Sequence, residues 1–372
     1  MERVDVLVVG AGLAGLHTAR RLAERDLSVL VVDRRRSLST GIRTTGIFVR
    51  RTLDDFDLPD HLLGPGVRDV LVYPPSRRSP VRLTSDRDEY RVADMAAVYE
   101  HARQAAEAAG ARVLLGVRYD GAGPVPARFV IGADGARSRV ARELGLDVNR
   151  RFLVGAELIH PIAPGGAAPA FHCVLDPRVA PGYLGWVIDD GRHAHVGVAG
   201  RPGAMRAGVR HLLEAFASDA PGRPPVAGPV ERRGGPIPVG GVLRRLACPG
   251  GLLVGDAAGA VSPLTAGGLD PCLRLSELAA EVTADFLRTG DERALLRYDG
   301  RALRARFRGR LLMRHAFAGL NFPAAAEAGV ALLRHRAGRA AAARVLFGDG
   351  SFPDVPVVRP GAPRGGVPRS RP

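Results

Sequence analysis

Apolar and polar positions follow two different periods along this chain, and the switches between them mark its organisation. Val4-Asp5-Val6-Leu7-Val8-Val9 is a nearly continuous apolar run, the pattern of a parallel strand buried on both faces. Leu16, Ala19 and Ala23 then recur on one helical face, and Ser28-Val29-Leu30-Val31-Val32-Asp33 reads as a second strand. A polar, arginine-rich segment from Arg34 to Arg51 leads into a connector reaching about Leu83. Met95 to Ala109 predicts an amphipathic helix closed by Gly110, with strands following at 112–115 and 128–132. From about Arg151 to Pro238 short runs such as Phe171–Leu175 and His195–Val198 alternate with Pro and Gly, as antiparallel strands do. Gly251-Leu252-Leu253-Val254-Gly255-Asp256 returns to the buried-strand pattern, and helices are expected from about Leu269 to Phe347. The tail over 348–372 is rich in Pro, Gly and Arg and is expected to be disordered.

Between the first strand and helix stands Gly10-Ala11-Gly12-Leu13-Ala14-Gly15, and Asp33 closes the second strand 23 positions after Gly10. Each part has a mechanical reason. Gly10 permits the tight turn, Gly12 lets a pyrophosphate approach the backbone, and Gly15 lets helix and strand pack closely. The helix N-terminus, at Leu13 and Ala14, offers free N–H groups and a partial positive charge to phosphates. Asp33 is a candidate acceptor for the ribose hydroxyls of an adenosine. Strand, helix, strand and terminal acid in register predict a dinucleotide site. The fold class is therefore α/β: a discontinuous Rossmann-like domain over 1–150 and 239–290, an inserted mostly antiparallel β domain over 151–238, and a helical C-terminal region over 291–347.

Two more glycine-acid signatures follow in order, Gly132-Ala133-Asp134-Gly135 and Gly255-Asp256-Ala257-Ala258-Gly259. With these three, the chain to about residue 290 resembles the FAD-dependent oxidoreductases of the two-domain type shared by aromatic hydroxylases and geranylgeranyl reductases. The resemblance implies FAD as cofactor, with Asp256 and Gly255 at its ribityl and pyrophosphate region. It also implies Asp134 near the dinucleotide and bonded to the scaffold, with Arg34 and Arg43 among the cofactor-binding residues. Taken alone, Asp134-Gly135 reads equally as a strand-end turn. The third signature runs on through Pro263 to Gly267-Gly268-Leu269, most like the geranylgeranyl-reductase branch. Gly267 and Gly268 allow close backbone approach, and a helix from about Leu269 aims its positive end at the loop, suited to a reduced flavin. Asp270 is expected to cap that helix.

Tyr183-Leu184-Gly185-Trp186 resembles the substrate-pocket motif of prenyl reductases, with one extra residue between Tyr and Trp and Ile188-Asp189 in place of Phe-Pro. Strand alternation puts Trp186, the single tryptophan, on one face with Ile188, as pocket wall or as sheet core. Two further departures are a Ser39–Gly46 segment without the branch's cysteine, and Asp94 where relatives carry an arginine. His193 and His195 would share a strand face, without an evident third ligand, and a solvent-facing pair is expected rather than a metal site. No catalytic side chain is identifiable, and chemistry is left to the cofactor.

The formal net charge is +15, yet every basic residue is an arginine, and these are spread without the aromatic interleaving of a single-strand nucleic-acid binder. No nucleic-acid partner is expected; anionic cofactors, lipid surfaces or acidic substrates are attracted. Cys173, Cys248 and Cys272 form no pair at metal or disulfide spacing and suit a reducing, cytoplasmic compartment. The first strand begins almost at Met1, leaving no room for a leader, and no uncharged apolar run reaches about 18 residues. An integral membrane segment is therefore not expected, while contact with a membrane surface stays open. The expected function is oxidoreduction of a hydrophobic or aromatic small molecule, by double-bond reduction or by hydroxylation. With one dinucleotide fingerprint, NADH or NADPH would bind transiently, or an electron-donor protein would serve. The alternative is a non-redox flavin protein, lycopene-cyclase-like or a binding module.

Overall fold

The structure is a computed structural model and describes residues 3–347 except 122, 164–167, 224–227 and 320; the expected disordered tail lies outside the described residues. Its first layer is a six-stranded sheet in the order Ala247–Cys248, Gly251–Leu253, Ala127–Gly132, Val4–Val9, Val29–Asp33, Arg112–Leu115. All neighbours run parallel except the edge strand Ala247–Cys248. Val6 pairs with Val29 on one side and Phe129 on the other, so the apolar run of the first strand is buried on both faces. Helix Leu13–Ala23 follows at once and packs against helices Met95–Ala108 and Leu269–Thr289.

The approach of that first helix is set by Gly15. A Cβ there would lie 1.9 Å from the Gly10 carbonyl oxygen and 3.0 Å from the Ala133 Cβ. Helix Met95–Ala108 begins where Asp94 accepts hydrogen bonds from the amides of Ala96 and Ala97, so Asp94 serves as a cap. Helix Leu269–Thr289 has no side-chain cap, which corrects the role expected of Asp270. The Asp270 carboxylate is buried and turned sideways, accepting from the Thr52 hydroxyl at 2.9 Å and from Arg274 Nε at 2.9 Å. Arg274 in turn reaches Asp55 at 2.7 Å. A buried ion wins over capping here because leaving Arg274 without a counter-charge costs more than one exposed cap.

The second layer is a seven-stranded sheet in the order Glu231–Pro238, Phe152–Pro161, His193–Gly200, Gly185–Asp189, Ala170–Val174, Asp69–Tyr73, Val81–Thr84. It is antiparallel apart from the pairing of Ala170–Val174 with Asp69–Tyr73. A substrate domain drawn over 151–238 leaves out two of these strands, which come from the stretch that reads as a connector. Their partner lies about a hundred residues downstream, and local pattern carries no sign of it. One face of the sheet packs Leu158, Val174, Val196 and Val198 on Leu213 and Phe216 of helix Val209–Ser218; the other, with Glu157, Trp186 and Ile237, faces the first layer. A small sheet of Ile47–Val49, Tyr90–Ala93 and Leu63–Val67 bridges the layers. Helices including Arg308–Ala318 and Arg336–Leu346 complete the C-terminal region. Among the described residues, no helix is long and apolar enough to cross a membrane.

Gly15→Ala is expected to push the first helix off the sheet and cost about 2–4 kcal/mol, read as a fall in melting temperature. An unchanged melting temperature would mean that the contact with Gly10 carries no load.

Candidate active site

A cleft of about 1190 Å³ opens between the two large sheets. It exceeds the roughly 300–1,000 Å³ typical of a single small-ligand pocket, so it has room for a cofactor and a substrate side by side. At one end lies the glycine turn. Gly10 has φ +110°, and a Cβ there would sit 2.3 Å from the Ala133 carbonyl oxygen. Gly12, by contrast, lines the cleft with no atom within 4 Å of the place a Cβ would take. The helix starting at Leu13 has neither a side-chain cap nor an acidic residue in its first turn, so its free amides remain for an anion. Gly10, Gly12, Leu13 and Ala14 line the cleft, whereas Gly15 is a packing residue behind it.

Asp33 and Arg34 line the cleft beside the glycine turn. The Asp33 carboxylate accepts the Ala11 amide at 2.8 Å, the Arg35 amide at 2.8 Å, and the Arg35 guanidinium at 3.1 and 3.0 Å. Burial pushes its pKa up, but these bonds and the Arg35 charge more than offset that, so it stays below the usual range. Ribose hydroxyls can reach Asp33 only where Arg35 gives up its place. Asp134 at the next strand end uses Oδ2 to accept the amides of Arg139 and Val140, while its buried Oδ1 has no partner. It is thus both the strand-end scaffold and a cleft-lining acceptor.

Gly255, Asp256, Gly267, Gly268 and Leu269 line the middle of the cleft, with Arg43 across from Asp256. The Asp256 carboxylate keeps part of its surface open to the cleft yet lies far below bulk solvent. Burial pushes its pKa up to about 6, against the pull of Arg43. No described residue donates a hydrogen bond to that carboxylate, which suits it to the hydroxyls of a polyol. An open anion cradle, an unpartnered Asp134 oxygen and a desolvated acceptor at Asp256 fit a dinucleotide with a hydroxylated linker.

The far half of the cleft is apolar. Ile47, Val49, Phe171, Leu184, Leu346 and Phe347 wall it, and Tyr183 and Trp186 both line it. Tyr183 donates to the Thr265 carbonyl at 2.6 Å and packs with Leu153, Ala199 and Val239, so it is wall and core together. The Trp186 indole lies over Gly197, where a Cβ would meet it at 2.1 Å, and its buried Nε1 has no partner. Sequence reading misses the wall residues from the C-terminal helices, and Arg310 above all. Arg310 donates to Ser262 Oγ at 2.8 Å and to Thr265 Oγ1 at 3.1 Å, tying helix Arg308–Ala318 to the loop before Gly267. Its signal was a pair of arginines four apart, Arg310 and Arg314, both turned inward; in so arginine-rich a chain that signal is drowned.

Only one of the two histidines faces solvent, which corrects the expectation for His195: the His193 side chain is 39% exposed. His195 is 2 % exposed and bonded to Asp190, because its strand face looks inward across the sheet. Among the described residues no cluster of three or more His, Cys, Asp or Glu is placed to hold a metal, and all three cysteines are free.

Two sheets enclosing a cradle suited to a dinucleotide, which runs into an apolar chamber, define the class: a Rossmann-like dinucleotide-binding fold joined to an antiparallel sheet. Residues 8–68 match the NAD(P)-binding Rossmann-like domain family. Over 324 residues the chain is 33% identical to digeranylgeranylglycerophospholipid reductase 1 of Methanopyrus kandleri, covering 80% of this chain and 85% of that one. A geranylgeranyl bacteriochlorophyll reductase-like structure from Thermoplasma acidophilum superposes with TM-score 0.78 at 22% identity, covering 94% of this chain and 98% of that one. PqsL of P. aeruginosa, in complex with 2-aminobenzoylacetate, follows with TM-score 0.65 at 20% identity over 88% and 99%. The chain belongs to the digeranylgeranylglycerophospholipid reductase family. It is an oxidoreductase of that family.

Gly12→Val is expected to abolish flavin retention while leaving the melting temperature of the flavin-free protein near wild type, since the added side chain enters only the cleft. Full flavin occupancy in that variant would remove the pyrophosphate from this turn. Asp256→Asn separates binding from stability. Its raised pKa means that the ionised carboxylate burdens the flavin-free fold, a burden absent below about pH 4 and complete above about pH 6. The Asn variant should therefore be more stable than wild type at pH 7.5 by on the order of 1–3 kcal/mol, with the gain vanishing at acid pH. Its FAD affinity should fall nonetheless.

Proposed function

We propose that this protein saturates isoprenoid double bonds of a lipid carrying a phosphorylated headgroup, with FAD held along the three glycine-acid turns. The observation that carries the reading is the continuity of the cleft: the cradle at Gly12, Asp134 and Asp256 opens directly onto the wall of Ile47, Val49, Phe171, Leu184 and Trp186. Arginines outnumber acids along it, eleven to five, which favours anionic ligands at both ends. The cofactor supplies a hydride when reduced. The chain's own residues do the rest. The amides of Leu13 and Ala14 take the pyrophosphate, Asp256 and Asp134 accept from the sugar and ribityl hydroxyls, and Asp33 takes the ribose once Arg35 yields. The N-terminus of helix Leu269–Thr289 favours negative charge at its tip. The apolar wall excludes water and holds an extended chain against the cofactor, with Tyr183 and Trp186 fixing its depth.

Electrons come from NADH or NADPH bound transiently, or from a donor protein, and the three free thiols suit a reducing cytoplasm. The assay uses protein reduced with dithionite and a geranylgeranyl-bearing glycerophospholipid. Gain of two hydrogens per double bond is expected by mass spectrometry. Gain of one oxygen under air would make the protein a hydroxylase, and a flavin that binds but never cycles with any reductant and substrate would return it to the non-redox alternative. Trp186→Phe is expected to raise KM or change how many bonds are reduced, with flavin content and melting temperature kept. Lost stability with unchanged kinetics would make Trp186 sheet core only.

A further inference from the structure

Double-bond saturation needs a proton as well as a hydride, and the wall of the cleft holds a group built to give one. Glu157 stands on strand Phe152–Pro161, opposite Arg233 on one neighbouring strand and Gly197 on the other. Its carboxylate lines the cleft although the residue is only 3 % exposed. Oε2 accepts the Thr45 hydroxyl at 2.6 Å, and the buried Oε1 has no partner. Beside it, His195 is equally buried. Its Nδ1 lies 3.9 Å from Glu157 Oε2 and makes no hydrogen bond, while Nε2 lies 3.2 Å from Asp190 Oδ2. Asp190 is fixed by the amides of Arg192 at 2.8 Å and His193 at 2.6 Å. Its Oδ2 is 3.4 Å from Nδ1 of His193, whose side chain is 39% exposed.

Glu157 Oε1 and His195 Nδ1 are both buried without a partner, and the two side chains come closest between Nδ1 and Oε2, which together call for an explanation. A shift of about 1 Å brings His195 Nδ1 within hydrogen-bond reach of the Glu157 carboxylate, and a proton between them serves both. The row runs from solvent at His193 and Asp190, through His195, to a carboxyl in the wall of the substrate chamber. A purely structural ion pair would be closed, and would turn away from the cleft. This one is open and turned toward it.

We propose that Glu157 is the catalytic acid of the cleft, recharged through His195, with Asp190 as the residue that positions the imidazole. The inference rests on the reading of the protein as a double-bond reductase. As hydride from the reduced flavin reaches one carbon, the Glu157 O–H bond breaks and its proton forms the C–H bond at the other. The resulting carboxylate takes the proton of His195 Nδ1, leaving a neutral imidazole that keeps its Nε2 proton on Asp190 and regains the Nδ1 proton from solvent before the next turnover. The sum is one hydride and one solvent proton added across each double bond. Asp190 stays ionised throughout: burial raises its pKa, but the hydrogen bond and charge of His195 with the two amides hold it down at about 2.

Glu157→Gln keeps the volume and the Thr45 contact and removes the proton. With the same lipid and dithionite, kcat is expected to fall at least about 100-fold, with KM, bound flavin and melting temperature kept. Asp190→Asn removes the charge that favours the imidazolium, so the alkaline limb of the kcat profile should move to lower pH. The other groups facing this row are Arg233 with Glu231, Thr45, His193 and Asp189, and both variants leave them in place. A readout independent of turnover is the imidazole titration of His195 in flavin-bound protein with nitrogen-15-labelled histidine, its signal assigned by loss in His195→Gln. That titration should move to lower pH in Asp190→Asn and in Glu157→Gln. A His195 titration indifferent to both, or Glu157→Gln turning over like wild type, overturns the relay while leaving the reductase reading intact. A wild-type protein that leaves the lipid unsaturated overturns the reductase reading and the relay with it.

Discussion

Everything at the cofactor end depends on how closely three chain turns are pressed together. Gly10 admits the Ala133 carbonyl, Gly15 admits the Gly10 carbonyl, and Gly255 sits where a Cβ would come 2.8 Å from that of Ala14. No side chain fits at any of these three contacts, so the strand ends at Gly10, Gly132 and Val254 converge on the start of one helix. That convergence turns three separate signatures into one cradle. It is also why a glycine with nothing around it, Gly12, is informative: in so crowded a place, an open position is kept open for a ligand.

The helix that completes the cradle is held from behind by buried charge. Glu277 on helix Leu269–Thr289 accepts from His17 at 2.7 Å and from Arg21 at 2.9 Å, both on the first helix. Arg274, one turn earlier, holds Asp270 and reaches Asp55. Buried pairs of this kind add little net stability, but removing one partner strands the other, so they fix the register of two helices. The position of Gly267 and Gly268 over Asp256 follows from that register. A stability burden at Asp256 is tolerable because the surrounding packing over-determines its place.

Legibility in the sequence followed range. The cradle was readable because its parts lie within one βαβ unit and each glycine has a local reason. The helix at Met95 was readable from its period and its closing Gly110, and Asp94 proved to be the cap that starts it. Two strands of the second sheet, Asp69–Tyr73 and Val81–Thr84, were not readable, because their apolar runs are short and their pairing is distant. Asp270 and His195 misled for one reason: a helix start and an alternating strand give position along an element, not what another element places opposite. Glu157 left no signal at all, being one acid in an alternating run until the fold set Thr45 and His195 beside it.

The C-terminal helices join what the two sheets leave separate. Arg310 binds Ser262 and Thr265 in the loop before Gly267, and also the Val345 carbonyl at 3.1 Å. Val345, Leu346 and Phe347 belong to the apolar wall, and the Leu346 carbonyl accepts from the Tyr90 hydroxyl, across the chamber's floor from Phe171. One guanidinium therefore touches both the cofactor loop and the substrate wall. A ligand that pressed on Leu346 and Phe347 would act on the same residue that holds the loop over Asp256. Because Arg310 is buried and bonds both the loop and the Val345 carbonyl, a movement of the wall strains contacts at the loop. The apolar wall and the loop over Asp256 are in this way set by one packing solution, and a change in the C-terminal helices reaches both.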